Sequence, residues 1–495
     1  MNKITTLALL GVVVATSLFF TVDFRTPPDG DAMFFLPQIV SFARGEGLRN
    51  TVYKIPLAYH PSHDGRHIWH GFAYQTVAGL LPWAKNYEGL SRIIAGCNLL
   101  TLAFTAAAAW RLLTQSADLS RGAGCLLVLL VCCEVGYLWG LSNQGRPETF
   151  SSLLLAVGIF LMPVVSKRRQ AFVAGPILAL MALTSPAQAI IIAPLAVGLL
   201  AINADFWRDG LRTVVLAGVA GLAAAAILFV LYPYSPSEWV QGLQIHAKTL
   251  VNRNLTGSYR TWLVMRGCLF MGGLVTVAAA GAFFLIYDMT LDPWRKRVLI
   301  IAVILTLVPA LYFSVSIVAF YNMSALIPLL VVVVAMAWRR WGEQASLRPR
   351  IARYARTCIV LTLSVVALDP VFTVAARIME PRGMTLAEAR AEFSRLQAEH
   401  QSIAVTKGLF PLTEDYDNIE VLIHEEYAMG RVASTQADIL VVQQVNQPDW
   451  STPPRFSNYK LVENLYVPVD QRTITNCLKR WWQPSGYGFA VYIRI

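Results

Sequence analysis

Residues 27–36 read Pro-Pro-Asp-Gly-Asp-Ala-Met-Phe-Phe-Leu, and an apolar run follows them as far as Gly45-Glu46-Gly47-Leu48. This acidic segment comes directly after residues 4–22, an uncharged apolar stretch about long enough to cross a bilayer. Two carboxylates, Asp29 and Asp31, are therefore expected just beyond the membrane and before an aromatic run. An acid at such a boundary can meet a lipid-borne substrate from one side and a water-borne substrate from the other.

The composition is that of a polytopic membrane protein. Of the 495 residues 56% are hydrophobic and 14% are charged, and the mean hydropathy is +0.51. The formal charge of +11 would suggest nucleic acid for a soluble protein. Here much of the Lys and Arg lies between apolar spans, so topology and anionic lipid explain the charge better, and no nucleic-acid partner is expected. Six of the seven Cys lie in apolar segments, which predicts neither a disulfide framework nor a zinc site.

About eleven transmembrane helices are predicted from apolar stretches of suitable length. They lie at residues 4–22, 90–113, 122–141, 149–165, 171–183, 186–202, 213–231, 264–287, 298–315, 323–338 and 357–375. The first is expected to be a retained helix, because its apolar part is longer than that of a signal peptide. The fifth and sixth are separated only by residues 184–186 and could form one broken or re-entrant element.

The Lys and Arg residues between the spans predict the orientation. They accumulate in alternate loops, which indicates a cytoplasmic N-terminus and a C-terminus outside. On that outer side lie the loop 23–89, which contains the acidic segment and an interfacial amphipathic piece at 68–83, and the loop 232–262. A transmembrane domain over residues 1–376 is thus followed by an outer domain over 377–495.

The outer domain is predicted to be small and α/β. Thr385 and Glu388 have the spacing of a capping box and open an amphipathic helix. Strand-like runs follow at residues 402–405, 420–423, 437–442, 460–467 and 488–495. The domain offers no acid–base constellation and lies apart from the loop motifs. We therefore expect it to cover the mouth of a membrane cavity and to help select the acceptor.

The order of motifs in the transmembrane part resembles the GT-C superfamily of integral-membrane glycosyltransferases, which use polyprenyl-phosphate sugars. The bacterial transferases that add aminoarabinose or galacturonic acid to lipid A, and the protein O-mannosyltransferases, are similar. The residues that carry the resemblance are Asp31, Phe34, Phe35, Gly45, Gly47, Leu48, His60-Pro61, Arg146-Pro147-Glu148, Tyr321-Asn322-Met323 and Pro328. This chain has Ala32 where many relatives have Glu, and Ser62 where many have a second Pro. The resemblance implies a GT-C-like helical fold with Asp31 as the catalytic base.

The chemistry of sugar transfer suggests further roles. A base must take the proton of the attacking hydroxyl, and cations must stabilise the departing phosphate. Asp31 can be the base, with Asp29 as a weaker candidate; the alternative is that both acids form a solvated turn with Gly30. The residues expected to bind donor or acceptor are Asp29, His60, Glu134, Arg146, Glu148, His246, Lys248, Arg253, Tyr321 and Asn322. For the cations the alternative is contact with lipid headgroups.

Four histidines, His60, His63, His67 and His70, fall in one short stretch with steps of three and four. Such steps could align them on a helix around a divalent ion. Pro61 and the turn after residue 63 interrupt that helix, so we assign no metal and no other cofactor, and the histidines are interpreted as interfacial or acceptor-binding.

Together these features predict an inverting glycosyltransferase of a bacterial inner membrane. Its partners would be a polyprenyl-phosphate-linked sugar donor, membrane lipids, and an acceptor that is an envelope glycan, lipid or protein. The alternatives are a multi-pass lipid or solute transporter, which should show ionisable residues near the middle of the membrane, and another membrane transferase of the acyl or phosphoethanolamine type.

Overall fold

The structure is a computed structural model. It describes residues 32, 34–50, 66, 70–114, 145–162, 165–166, 169–251, 292–316, 326, 328–329, 332–333, 336, 357, 383–399, 402–414, 416, 419–422, 435–444, 453–467 and 486–495. The predicted spans at 4–22, 122–141 and 264–287, most of the span at 323–338 and nearly all of the span at 357–375 lie outside these residues.

The described part of the membrane domain is helical. Its helices are α1 (Leu36–Ala43), α2 (Ala73–Gly79), α3 (Tyr87–Thr114), α4 (Pro147–Leu161), α5 (Gln170–Thr184), α6 (Pro186–Ile202), α7 (Trp207–Leu231), α8 (Pro236–Val251) and α9 (Pro293–Ser316). Helices α3 to α7 and α9 coincide with six predicted spans, within about six residues at each end. The amphipathic piece predicted at 68–83 becomes α2 and the short 3-10 helix Pro82–Lys85.

Helices α5 and α6 are separate elements. The backbone of Ser185 is extended, with φ of −144° and ψ of 92°, and Pro186 occupies the first turn of α6. Proline at that position loses no hydrogen bond and favours a helix start, whereas it cannot continue α5. The structure thus shows a break at Ser185, and whether α5 and α6 are two spans or one re-entrant element stays a prediction.

Two helices among the described residues are long and apolar enough to cross a bilayer, Tyr87–Ala108 within α3 and Trp207–Leu231. Three further apolar helices are shorter, namely Pro147–Leu161, Gln170–Thr184 and Pro186–Ile202. The prediction of eleven spans is not confirmed. Helix α7 exposes large apolar side chains along its length, among them Leu222 at 74% and Val230 at 84%. A 25-residue apolar helix left this uncovered suits lipid rather than water, so the chain is a membrane protein.

The C-terminal part forms the predicted α/β unit. Helix α10 (Leu386–Glu399) precedes β1 (Ile403–Thr406), β2 (Ile419–Leu422), β3 (Ile439–Gln443), β4 (Tyr459–Asn464) and β5 (Phe489–Arg494), and the sheet order is β2-β1-β3-β5-β4. Strand β1 pairs in parallel with β2 and with β3. Strand β5 pairs antiparallel with both of its neighbours, β3 and β4. All five strands were predicted within a few residues, because each shows an apolar run bounded by polar or turn residues.

The predicted capping box of α10 is present. The backbone N–H of Thr385 donates to Glu388 Oε2 at 2.7 Å, and the N–H of Glu388 donates to Thr385 Oγ1 at 3.2 Å. Helix α10 then places Ala389, Phe393 and Leu396 against one face of the sheet. The opposite face carries a second apolar cluster that includes Leu440 and Tyr492.

The sequence suggested that the α/β unit lies apart from the loop at 23–89. The structure shows instead that the two are in contact. One continuous buried cluster joins Phe393 and Phe410 of this unit to Leu36 and Ile39 of α1 and to Tyr87 at the start of α3. The rings of Tyr87 and Phe410 meet edge to face, with centroids 5.1 Å apart.

A buried carboxylate reinforces this junction. Only 4% of the Glu414 side chain is exposed, and it accepts from Arg44 Nη2 at 2.8 Å and from Arg390 Nη2 at 2.6 Å. The backbone N–H of Tyr87 donates to the same carboxylate at 3.2 Å. Arg44 follows α1 and Arg390 belongs to α10, so Glu414 connects the end of α1 and the start of α3 to the C-terminal sheet.

Candidate active site

Helix α1 continues the acidic segment and ends in a glycine cap. The N–H of Gly45 donates to Phe42 O and the N–H of Glu46 donates to Ser41 O, both at 3.0 Å. These two bonds are those of a Schellman motif, which requires the left-handed backbone that Gly45 adopts at φ +84°. The motif Gly45-Glu46-Gly47-Leu48 therefore stops α1 and turns the chain, and the side chain of Leu48 is fully buried.

The Arg-Pro-Glu motif opens helix α4. Arg146 is the residue before the helix, with extended backbone angles, Pro147 starts the helix, and Glu148 lies in its first turn. This order suits a helix N-terminus, where proline costs no hydrogen bond and a carboxylate is stabilised by the helix dipole. Gly145, the residue before Arg146, forms the turn that leads into the motif and has a left-handed backbone with φ of +87°.

Arg146 and Glu148 form a partly buried, bidentate ion pair. The Nε and Nη2 atoms of Arg146 each donate to one carboxylate oxygen of Glu148, both at 3.1 Å. The side chains are 12% and 2% exposed. Because a bidentate pair fixes the plane of the guanidinium, Glu148 determines the orientation of the Arg146 side chain.

The acidic segment and the Arg-Pro-Glu motif are in contact. A Cβ added to Gly145 would lie 2.7 Å from Leu36 Cδ2, so α1 packs directly on the turn before Arg146. The guanidinium of Arg146 lies over the ring of Phe35, 5.9 Å from its centroid. The ring of His70 meets Phe35 edge to face at 4.9 Å. Residues that are more than a hundred positions apart in the sequence thus form one site, at the end of α1 that follows Asp31.

Burial raises the pKa of Tyr74 well above its ordinary value, with smaller contributions from Cys97 and from the negative charge of Glu148. Tyr74 stacks obliquely on Phe150 of α4 with ring centroids 5.7 Å apart. The hydroxyl of Tyr74 therefore stays protonated over the physiological pH range, and the charges described at this site are those of Arg146 and Glu148.

The aromatic residues of the second loop pack inside the protein. Phe72 stacks on Tyr232 with centroids 4.1 Å apart, and Trp239 Nε1 donates to the carbonyl of His70 at 2.7 Å. The hydroxyl of Tyr234 donates to the carbonyl of Leu48 at 2.9 Å. Tyr232 and Tyr234 thus connect the loop at 232–262 to the loop at 23–89.

A surface ion pair joins the same two loops. Arg66 Nη1 donates to Glu238 Oε1 at 2.7 Å, and the guanidinium lies 5.8 Å from the centroid of the Tyr234 ring. Hydrogen bonds from the backbone and side chain of Ser235, with a contribution from Arg66, hold the pKa of Glu238 below its usual value. The second loop is thus fastened to the first by polar as well as aromatic contacts.

The structure brings together only part of the predicted site. Arg146 and Glu148 are described in full, while His246 and Lys248 are placed on helix α8 without a description of their side chains. The other predicted site residues lie outside the described residues, namely Asp29, Asp31, His60, Glu134, Arg253, Tyr321 and Asn322. Within the described part of the chain, no group of three or more His, Cys, Asp or Glu is arranged to hold a metal ion; His60, His63 and His67 are not among those residues.

Sequence reasoning missed two features of the site. Glu414 was not singled out, because a lone glutamate after Leu412-Thr413 carries no local signal of a partner. Gln75 lies in the interfacial piece and is fully buried. The available signal was a glutamine within an amphipathic piece. Its burial follows from tertiary packing, which the sequence does not display.

Comparison with known proteins identifies no family. No family model and no curated protein matches the chain. Among solved structures it is similar to the crystal structure of the Archaeoglobus fulgidus oligosaccharyltransferase complex with Zn and sulfate. The similarity covers 89% of this chain and 69% of that chain, with 13% sequence identity and a TM-score of 0.49. A likeness this distant determines neither the fold nor the activity of this chain, which its own features define as a helical membrane protein with a C-terminal α/β unit.

Proposed function

We propose that the chain is an inverting glycosyltransferase with a GT-C-like membrane domain, which moves a sugar from a polyprenyl-phosphate donor to a cell-envelope acceptor. The observation that carries the proposal is the contact between α1 and the Arg-Pro-Glu turn, through Leu36 and Gly145 and through Phe35 and Arg146. Sugar transfer from a lipid phosphate needs a base and a cation close together, and this contact joins the helix that follows Asp31 to the turn that carries the partly buried Arg146.

In the proposed reaction, Asp31 is the general base. The acceptor oxygen attacks the anomeric carbon as its proton passes to the Asp31 carboxylate, and the bond from that carbon to the phosphate oxygen breaks. The polyprenyl phosphate leaves with the bonding electrons, and the configuration at the anomeric carbon is inverted.

The departing phosphate needs positive charge. Arg146 is proposed to contact it, with Glu148 fixing the guanidinium, because charge-assisted hydrogen bonds to phosphate are the strong ones. Lys248, Arg253 and His246 of the second loop would add charge at the membrane surface. His60, Tyr321, Asn322 and Asp29 are proposed to contact donor or acceptor, and Glu134 to face the cavity in a supporting role.

The proposed setting is a bacterial inner membrane with the site on the outer side. The Lys and Arg distribution between the predicted spans supports a cytoplasmic N-terminus. On this arrangement the α/β unit is periplasmic, and the acceptor is a glycan, a lipid or a protein of the envelope.

The test is a transfer assay with purified protein in lipid nanodiscs. Polyprenyl phosphate bearing a radiolabelled sugar is incubated with extracted envelope lipids, glycans and proteins, and label is followed from donor to acceptor. Transfer that releases polyprenyl phosphate and inverts the anomeric centre is expected. Movement of the intact lipid-linked sugar across a sealed vesicle without cleavage would show a transporter, and no consumption of any donor would refute the proposal.

A further inference from the structure

Four uncharged polar side chains are buried where α1, α2 and the α5–α6 break meet. They are Gln38 of α1, Gln75 of α2, Thr184 at the end of α5 and Ser185 at the break, each at most 1% exposed. Within the described part of the chain, both amide atoms of Gln75, the Oε1 of Gln38 and the hydroxyls of Thr184 and Ser185 make no hydrogen bond. We refer to these four residues as the amide–hydroxyl cluster.

Contacts on either side of Gln75 show why its side chain faces the other members. A Cβ on Gly71 would lie 2.2 Å from the carbonyl oxygen of Thr184, and a Cβ on Gly79 would lie 2.7 Å from Phe42 of α1. On a helix, positions four apart differ in direction by about 40°. Gln75 lies four positions before Gly79 on α2, so its side chain is on the face that meets α1, while Gly71, just before the helix, lies against the α5–α6 break.

The register of α1 and α2 places Gln38 opposite Gln75. Phe35 meets His70 at one end, with ring centroids 4.9 Å apart, and Gly79 lies against Ile39 and Phe42 at the other. The two helices therefore run in the same direction. Gln38 and Gln75 lie between these two contacts. The backbone N–H of Phe72 donates to Leu183 O at 2.6 Å, which holds the break against the start of α2.

Leaving these groups unbonded is costly. A buried amide or hydroxyl without a partner destabilises the folded state, because it has lost its hydrogen bonds to water. Five such atoms around the junction of α1, α2 and the α5–α6 break are donors and acceptors that the described residues leave available to a polar ligand. Because each amide and hydroxyl can both donate and accept, the matching ligand is one whose groups also do both, as sugar hydroxyls do.

We infer that the amide–hydroxyl cluster binds the sugar ring of the donor, and that this sugar is uncharged. The inference rests on the proposed glycosyltransferase function and specifies its substrate. Gln38 is seven positions after Asp31 in the sequence, so the cluster and the proposed base belong to the same short stretch of the chain.

The charges near the cluster favour a neutral ring. Arg146 and Glu148 pair with each other through two hydrogen bonds, and the cluster itself has no charged member. A uronic acid or an amino sugar would place a charge among neutral groups, where desolvation is expensive. A phosphate would be better served by cations than by amides.

The experiment measures the dissociation constants of four lipids with the full chain in nanodiscs. The probes are bare polyprenyl phosphate and the same lipid bearing glucose, a uronic acid or an amino sugar. The glucose lipid is expected to bind at least about tenfold more tightly than the bare lipid, because two or three neutral hydrogen bonds are worth about that much. The charged sugars are expected to bind no better than the bare lipid.

Variants locate the effect. Gln75→Leu should abolish the tenfold preference while leaving the affinity for bare polyprenyl phosphate unchanged, and Ser185→Ala, which is a smaller change, should reduce the preference by a few fold. Thr76→Val is the matched control. Thr76 is equally buried in the same helix, but its hydroxyl already donates to Phe72 O at 3.0 Å.

The outcomes separate this inference from the proposed function. A sugar preference that persists in both Gln75→Leu and Ser185→Ala, or a preference for a charged sugar, would overturn the inference and leave the transferase proposal standing. Failure of the wild-type chain to bind any of the four lipids would overturn both. Loss of the preference in Thr76→Val as well would show a structural role for α2 rather than sugar binding, and would also overturn the inference.

Discussion

Gly145 meets two demands that no other residue type satisfies at once. Its backbone lies in the left-handed region at φ +87°, and its α-carbon faces Leu36 with no room for a side chain. This one position therefore sets both the turn into Arg146 and the distance between α4 and the helix that follows Asp31.

Gly145→Ala is expected to lower the free energy of unfolding by about 1–3 kcal/mol, from backbone strain and the clash with Leu36 together. The fall should appear as a lower thermal unfolding midpoint in detergent. Gly218→Ala is the control, because a Cβ at Gly218 meets no atom within 4 Å and alanine favours a helix. Equal midpoints for the two variants would contradict the described packing.

Asp31→Asn tests the proposed base. The substitution keeps size and polarity but removes the proton acceptor, so transfer should fall by about two to four orders of magnitude, while donor affinity changes little. The measurement is single-turnover transfer with purified, correctly folded protein. Asp29→Asn is the matched control and should have a milder effect. A larger loss with Asp29→Asn, or near-normal turnover with Asp31→Asn, would move the base to another residue.

At the scale of elements, the position of α1 depends on the carboxylate of Glu414. Arg44 follows α1 directly, and its Nη2 atom lies 2.8 Å from Glu414 Oε1 in the C-terminal unit. Arg390 lies 2.6 Å from the other oxygen, so the carboxylate is shared between the two parts of the protein. Removing the carboxylate charge weakens the contacts of Arg44 and Arg390 at once, which costs more than the loss of a surface ion pair.

Glu414→Gln is expected to destabilise the protein by about 2 kcal/mol, and Arg44→Met by less, because Arg44 is partly exposed. A double-mutant cycle on thermal unfolding should give a coupling energy above about 0.5 kcal/mol. The control pair is Glu88 and Arg92, 2.6 Å apart on the exposed surface of α3, for which Glu88→Gln should cost under about 0.5 kcal/mol. A coupling energy near zero would mean that Glu414 does not hold α1.

The elements themselves were largely predictable from the sequence, and their contacts were not. The strands of the C-terminal unit and the capping box at Thr385 are encoded locally, in apolar runs and in two residues three positions apart. Arg44 and Glu414 are separated by 370 positions, and nothing near either residue indicates the other. The same holds for Phe35 and Arg146, whose motifs were recognised separately but whose contact comes from packing.

At the scale of the whole molecule, topology remains a prediction. The Lys and Arg bias predicts that residues 377–495 lie outside. A reporter that is active only in the periplasm should be active when fused after Ile495, and a reporter that is active only in the cytoplasm should be silent there. The opposite result would place the α/β unit inside and would separate it from the proposed outer site.

The last prediction concerns whether the two parts fold separately. Phe393 and Phe410 share one buried cluster with Leu36, Ile39 and Tyr87, so a chain that ends at residue 376 would expose apolar surface from α1 and α3 that lipid does not cover. We expect this truncated chain to aggregate or to unfold at a clearly lower temperature than the full chain, as measured by size-exclusion chromatography and thermal unfolding in detergent.

A cleavage experiment supplies the control for that truncation. A protease site introduced after residue 376 lets the chain be cut after it has folded, so that both parts are present. The fragments should stay together after cutting, because the shared cluster and the Glu414 contacts remain, and they should separate when Glu414→Arg places three positive charges at the junction. Fragments that separate without that substitution, or a truncated chain that is monodisperse with an unchanged unfolding temperature, would show that the membrane part is complete without the α/β unit.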